Sequence, residues 1–229
     1  MKKLKMLAVA LAAVAVTGSA LAIPTIIVTD GILGATVSAA TGIVSYSNTA
    51  FDSAWDIVIT SGLTKPALGS ATSPIEDIQI QATSTKVGPA GPLTVYLFDN
   101  GFGPTSGSYL AAITGHVITG SGATVTFNTY YNLNNSVPTL SGATVTGGTT
   151  SSLTTLTLPA SIYNGSASAS PGNLANPFSL VEVVSIGTGG LQTAYSLDAS
   201  ITGVPDGGTT IMLLGAALSG LAFLRRKLV

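Results

Sequence analysis

The chain holds one histidine, His116, so any serine–histidine–aspartate relay would have to use it. It lies in Gly-His-Val-Ile-Thr over residues 115–119, which reads as a strand or the start of one. No serine occupies a Gly-x-Ser-x-Gly elbow, so the expectation is an ordinary surface histidine. Asp52 with Asp56, and Glu76 with Asp77, have the residue types of a glycosidase pair. Neighbouring acids in a chain with few bases read instead as solvated turn residues. Asp99, Asn100 and Gly101 offer oxygens to a calcium ion, but no carboxylate follows before Gly107, so a turn is expected. Trp55, Tyr96, Phe98, Tyr109, Tyr130 and Tyr131 could stack on sugar rings; aromatics in strands more often face a core. The glycosylation-type triplets at Asn134 and Asn164 read as coincidence in a bacterial chain. No catalytic residue, metal site or cofactor is expected, and the chain is not read as an enzyme.

The elements that position these residues are short and strand-like. Runs at 55–60 (WDIVIT), 78–82 (IQIQA), 93–98 (LTVYLF), 123–131, 153–158, 180–186 (LVEVVSI) and 194–201 are β-branched or alternate apolar with polar. Val125 and Phe127 take the inward phase of their run. The 93–98 run is expected to stop at the Asp99, Asn100, Gly101 turn. Candidates recur about every ten residues with no helical period between them, which predicts an antiparallel β-sandwich. Ser-Gly-Ala-Thr-Val-Thr occurs at 121–126 and again at 141–146 and suggests two similar edge strands. The low-complexity stretch 164–176 reads as a mobile loop.

Composition narrows the class. Of 229 residues only 7% are charged, and there is no cysteine. Disulfides, thiolate nucleophiles and cysteine-ligated metals are therefore absent, and the body must stand on its core. The bases gather at the two ends. Between residues 23 and 203 only Lys65 and Lys86 face eight acids, a balance of −6. An acidic body lacks the footprint for phosphate backbones, so no nucleic-acid partner is expected.

The chain opens with Lys2, Lys3 and Lys5, an apolar run over 6–16, and the small-x-small triplet Ala20, Leu21, Ala22. That is the layout of a secretory signal peptide, with cleavage after Ala22. The chain closes differently. Residues 211–224 are uncharged, and counting from Thr209 gives 16 residues, about 24 Å of helix. That length is slightly under a bilayer core; Arg225, Arg226 and Lys227 can snorkel at the far interface and hold that end cytoplasmic.

Val204, Pro205, Asp206, Gly207 and Gly208, followed by the apolar run and the basic end, resemble the PEP-CTERM class of sorting signals. The resemblance is to the variant opening Val-Pro-Asp, since Gly207 stands where the common pattern has a second proline. It implies processing by an exosortase, a membrane-embedded cysteine transpeptidase of Gram-negative bacteria that make exopolysaccharide. Pro205 breaks a helix and the glycines leave a narrow site unobstructed, so the motif is expected extended just outside the membrane, with Asp206 as a recognition charge. Residues 64–69 (TKPALG), 99–104 (DNGFGP) and 177–184 (PFSLVEVV) resemble a recurrent secreted β domain of unknown function.

The expected organisation is a signal peptide over 1–22, an all-β sandwich over 23–203, and a sorting tail over 204–229. The tail comprises a motif at 204–208, a transmembrane helix at 209–224 and a basic end at 225–227. The expected function is a structural or adhesive protein of the cell surface or exopolysaccharide matrix, held transiently in the inner membrane. A carbohydrate-binding module is the alternative, and a secreted hydrolase a third reading. The first measurable consequence lies at the N-terminus: sequencing of the exported protein should begin at Ile23, and an exported form beginning at Met1 would overturn the cleavage assignment.

Overall fold

The computed structural model describes residues 23–85, 91–105, 107–136, 139–141, 144–146, 150–159, 162–174, 177–187 and 192–205, with positions 214, 215 and 218. The strands are β1 (Thr25–Thr29), β2 (Gly34–Ser38), β3 (Ile43–Phe51), β4 (Trp55–Leu63), β5 (Ile75–Ser84), β6 (Leu93–Phe102) and β7 (Gly107–Thr119). They continue with β8 (Val125–Asn132), β9 (Thr139–Ser141), β10 (Thr144–Thr146), β11 (Thr150–Leu158), β12 (Ile162–Ala169), β13 (Phe178–Ile186) and β14 (Ala194–Pro205). Two six-stranded antiparallel sheets result, ordered β11-β8-β13-β6-β1-β2 and β12-β7-β14-β5-β4-β3, with β9 and β10 as a separate ribbon. They pack as a sandwich, as the alternation predicts.

The core forms where the inward phases meet. β5 turns Ile78, Ile80 and Ala82 inward; β4 contributes Trp55, Ile57 and Ile59; β14 contributes Tyr195, Leu197 and Ala199. The opposite sheet supplies Ile26, Val28, Val95, Leu97, Val125, Phe127, Val184 and Ile186. Each fully buried large apolar side chain contributes roughly 1.5–3 kcal/mol by leaving water. β13 is buried at every position, because its outer face is also covered: Tyr96, Phe98, Val181 and Val183 form a cluster there, against which Tyr130 of β8 and Val145 of the ribbon pack.

Four sequence expectations change. Residues 164–169 are not a loop but most of β12, whose small residues alternate faces and pair with β7. Asp99, Asn100 and Gly101 do not end a strand; β6 runs through them to Phe102. Gly101, at φ 71°, lets three residues of β6 span two of β13, so the turn-type sequence makes a bulge. The two Ser-Gly-Ala-Thr-Val-Thr copies are not paired edges: one leads into β8, an interior strand, and the other into β10 of the ribbon. β14 passes the expected boundary at Gly203 and ends at Pro205. The signal peptide and nearly all of the C-terminal helix fall outside the described residues. Leu214, Gly215 and Leu218 are helical, and among the described residues no helix is long and apolar enough to cross a membrane.

Gly42 fixes the turn that follows β4. Its carbonyl accepts from the amide of Thr64 at 2.9 Å and its φ is 78°. An added Cβ would lie 2.7 Å from the nitrogen of Ala67 and 2.8 Å from that of Pro66. Gly42→Ala is expected to destabilise the fold by about 2–4 kcal/mol, read from the urea midpoint of the full chain; an unchanged midpoint would show that the turn yields freely.

Candidate functional site

The surface candidates are exposed but poorly equipped for catalysis. His116 in β7 stands opposite Ser196 in β14, and Asp198 lies two residues further along β14 on the same outer face. The three residue types of a relay therefore do come together. Asp198, however, accepts from the side-chain Nε2 of Gln79 at 3.3 Å, and no hydrogen bond joins His116 to Ser196 or Asp198 among the described residues. Both strands are interior to their sheet, so their amides are engaged by neighbours on either side and offer little to an oxyanion. Asp52 sits in the β3–β4 turn with φ 45° and interacts with Asp30, while Asp56 lies in β4. Trp55, Tyr96, Phe98 and Tyr109 are all buried and Tyr130 and Tyr131 half-buried, so the aromatics line cores and make no exposed platform.

Glu76 and Asp77 point to opposite faces of β5, because adjacent strand residues must. Asp77 is outward and half-buried. Burial, then the charge of Asp198, raises its carboxyl above the ordinary range. Glu76 is fully buried, in phase with Ile78 and Ile80, and is not the solvated turn residue expected. Glu182, in β13 of the facing sheet, is fully buried too. No oxygen of Glu76 or Glu182 meets a hydrogen-bond partner at full geometry among the described residues, though the backbone of Asp99 lies close enough to Glu76, and that of Ile201 to Glu182, to favour their charged forms. Burial first, then Glu182 and Asp99, pushes Glu76 well above the glutamate range. Burial first, then Asp77 and Asp198, does the same to Glu182.

Beside Glu76 lies the one ion pair among the described residues. Lys65 Nζ stands 3.0 Å from Asp99 Oδ2, donates also to the carbonyl of Asn100, and sits 3.9 Å from the centroid of the Phe102 ring. Asp99 is fully buried and Lys65 8% exposed. Burial raises the Asp99 carboxyl, opposed by Lys65, Thr64 and the amide of Asn100. Phe102 stacks on Phe178 at 5.8 Å, closing a second apolar cluster with Tyr109, Leu174, Leu180 and Ile201. The three stretches that resemble a secreted β domain thus converge here, through Lys65, through Asp99 and Phe102, and through Phe178 and Glu182. Sequence reasoning did not single out Lys65. Its signal was a base set between Leu63 and Ala67 in a body with only one other.

At the far end of β14, Val204 faces Ser108 and Pro205 faces Gly107 of β7. Pairing with β5 stops earlier, at Thr202 opposite Ile75, and the Gly203 amide donates to Pro74 at 2.8 Å. The backbone at Val204 and Pro205 is therefore extended and bound along one side only, where a proline is tolerated. Val204 is 44% exposed. Asp206, Gly207, Gly208, Arg225, Arg226 and Lys227 lie outside the described residues, as do Ala20 and Ala22.

Residues 203–228 match the family model described as the VPDSG-CTERM motif. The chain carries a PEP-CTERM-type sorting tail. The VPDSG-CTERM match begins at Gly203, so its first residues are also the last residues of the sandwich. No curated protein matches the chain.

The buried carboxyls give the body a signed pH dependence. With folded values raised above the unfolded 4.5, Glu76 and Glu182 hold protons in the fold that the unfolded chain releases. Their contribution is fully present below that value and is lost as pH rises toward the folded ones. The denaturant midpoint of the full chain is expected to be higher near pH 4.5 than near pH 8, with each carboxyl contributing at most about 1.4 kcal/mol per pH unit. Glu182→Gln should flatten that slope, and a midpoint rising across the interval would show both carboxyls ionised.

Proposed function

We propose that this is an exported surface protein whose β-sandwich does structural or adhesive work after an exosortase has processed its tail. The observation that carries the reading is the VPDSG-CTERM match over 203–228, followed in order by an uncharged run and a basic triplet. Export and sorting follow from a tail of this type. The destination is the cell surface or the extracellular matrix of a Gram-negative-type bacterium, with exopolysaccharide as the surrounding partner.

The body suits such a role. The four edge strands β2, β3, β11 and β12 carry no charged residue. Edge strands of dispersed proteins are commonly guarded by charge, and unguarded ones accept a further strand. Threonine, serine and small residues dominate these edges, which suits packing against copies or hydrated polymer. The carbohydrate-module alternative draws little support from aromatics that are buried or half-buried. The reading as a non-enzyme is supported by the ladder-bound setting of His116, whose strand is paired on both sides.

Exosortase processing can be separated from simple anchoring. Replacing Pro205 and Asp206 by alanine leaves the apolar run and basic end untouched, so insertion should persist while processing stops. The variant should accumulate in the inner membrane with its tail intact, whereas deleting residues 211–229 should release the body as a soluble secreted protein. Fractionation with mass spectrometry of the C-terminus reads both. Unaltered protein that retains Val229 in its final location would leave only a permanent anchor.

A further inference from the structure

The sandwich contains a buried lysine, in the turn after β4, in contact with a buried aspartate of the facing sheet, beside a second buried carboxyl, Glu76. We propose that Lys65 and Asp99 join in a covalent amide, an isopeptide cross-link between the two sheets, with Glu76 as the proton relay. The site is built by three elements: the turn after β4 supplies Lys65, β6 supplies Asp99, and β5 supplies Glu76.

The geometry meets the requirements of amide formation. Lys65 Nζ already touches Asp99 Oδ2 at 3.0 Å, an oxygen bonded to the Cγ it must reach, and the fold holds the two groups there without diffusion. Phe102 covers the nitrogen at 3.9 Å, and Asp99 is fully buried, so bulk water is kept from the carboxyl. The Asn100 amide holds the other Asp99 oxygen, Oδ1, at 2.7 Å, aligning the group and stabilising charge on that oxygen during attack.

The chemistry balances without any co-reactant. The Lys65 ammonium passes a proton to the Asp99 carboxylate, and the freed amine attacks Cγ. A C–N bond forms and a C–O bond breaks. Glu76 takes the second amine proton and delivers its own to the departing oxygen, which leaves as one water. Glu76 ends protonated, as it began. An acid can act this way while it retains a proton, and burial, Glu182 and Asp99 shift the buried carboxyl of Glu76 in that direction, opposed by Lys65 and a hydrogen bond with the Asp99 backbone.

Energetics favour the bonded state inside a dry core. The reaction removes one positive and one negative charge from the interior and leaves a neutral amide, so the desolvation penalty of the ion pair disappears. It also gives a buried carboxyl a purpose: buried charged groups are costly and rare, and Glu76 is fully buried next to the backbone of Asp99. An exported chain without cysteine would gain a staple across 34 positions of sequence that reduction cannot open.

The test is peptide mapping by tandem mass spectrometry of the full chain recovered from the outer compartment. Lys65 and Asp99 should appear in one branched peptide lighter than the two linear peptides by one water. Lys65→Arg, which keeps the charge, should give only linear peptides. Glu76→Gln should fold, as read by circular dichroism, yet leave the peptides linear. Asp99→Asn should link with loss of ammonia in place of water. Linear peptides with unmodified Lys65 and Asp99 from folded, unaltered protein would overturn the proposal, and a branched peptide in Glu76→Gln would overturn the role of Glu76.

Discussion

The contact between Lys65 and Asp99 is the constraint around which one end of the sandwich is organised. A lone carboxylate in that core would cost several kcal/mol, and a lone ammonium as much; each is tolerable because the other is there. The turn that delivers Lys65 exists because Gly42, in a left-handed conformation, lets the backbone of residues 64–67 lie against it. The strand that delivers Asp99 is bulged at Gly101, which resets the register so that Phe102 lands over the ammonium. Phe102 in turn meets Phe178, and the second apolar cluster closes over the pair. Turn, bulge and aromatic lid serve one buried interaction.

Around that interaction the acids divide by strand phase. Glu76 and Asp77 are adjacent in sequence and on opposite sides of a sheet. Asp77 and Asp198 act from outside, Glu182 and Asp99 from within, and Glu76 responds to the inner ones while Glu182 responds to the outer. Burial pushes both Glu76 and Glu182 toward their neutral forms, next to the one ion pair among the described residues.

The period-2 runs made most of the architecture legible. Trp55, Ile57 and Ile59, then Ile78, Ile80 and Ala82, announced their inward faces directly. What stayed hidden were elements whose local chemistry points elsewhere. β12 is built from Asn, Gly, Ser and Ala, a loop composition, and becomes a strand because β7 offers a long partner. Asp99, Asn100 and Gly101 have turn chemistry, and tertiary pairing used the glycine's freedom to bulge a strand and not to end it. Glu76 was legible in principle: the alternation that put Ile78 and Ile80 inside put it there too. A carboxylate's preference for water argues against that pattern, and in the fold the pattern wins, with burial pushing the group toward its protonated form.

The tail motif was legible from the order of its parts, but its junction with the body was not. A domain boundary drawn at Gly203 treats the sandwich and the sorting signal as separate, whereas β14 runs through both. β14 lies inside its sheet, between β7 and β5, and its last residues remain zipped to β7 alone. An enzyme acting beyond Pro205 therefore meets an extended segment whose direction is set by the sheet. Val204 and Pro205 need no ordering at the moment of recognition, so the entropy of extending them has already been spent in folding. The same continuity sets how load reaches the body. Tension on the C-terminus runs along β14 and shears its ladders with β7 and β5 together, and strands loaded lengthwise must break many hydrogen bonds at once. A chain loaded through an interior strand is thus held by its sheet as a unit, and the two sheets resist separation wherever an interaction such as that of Lys65 with Asp99 spans them.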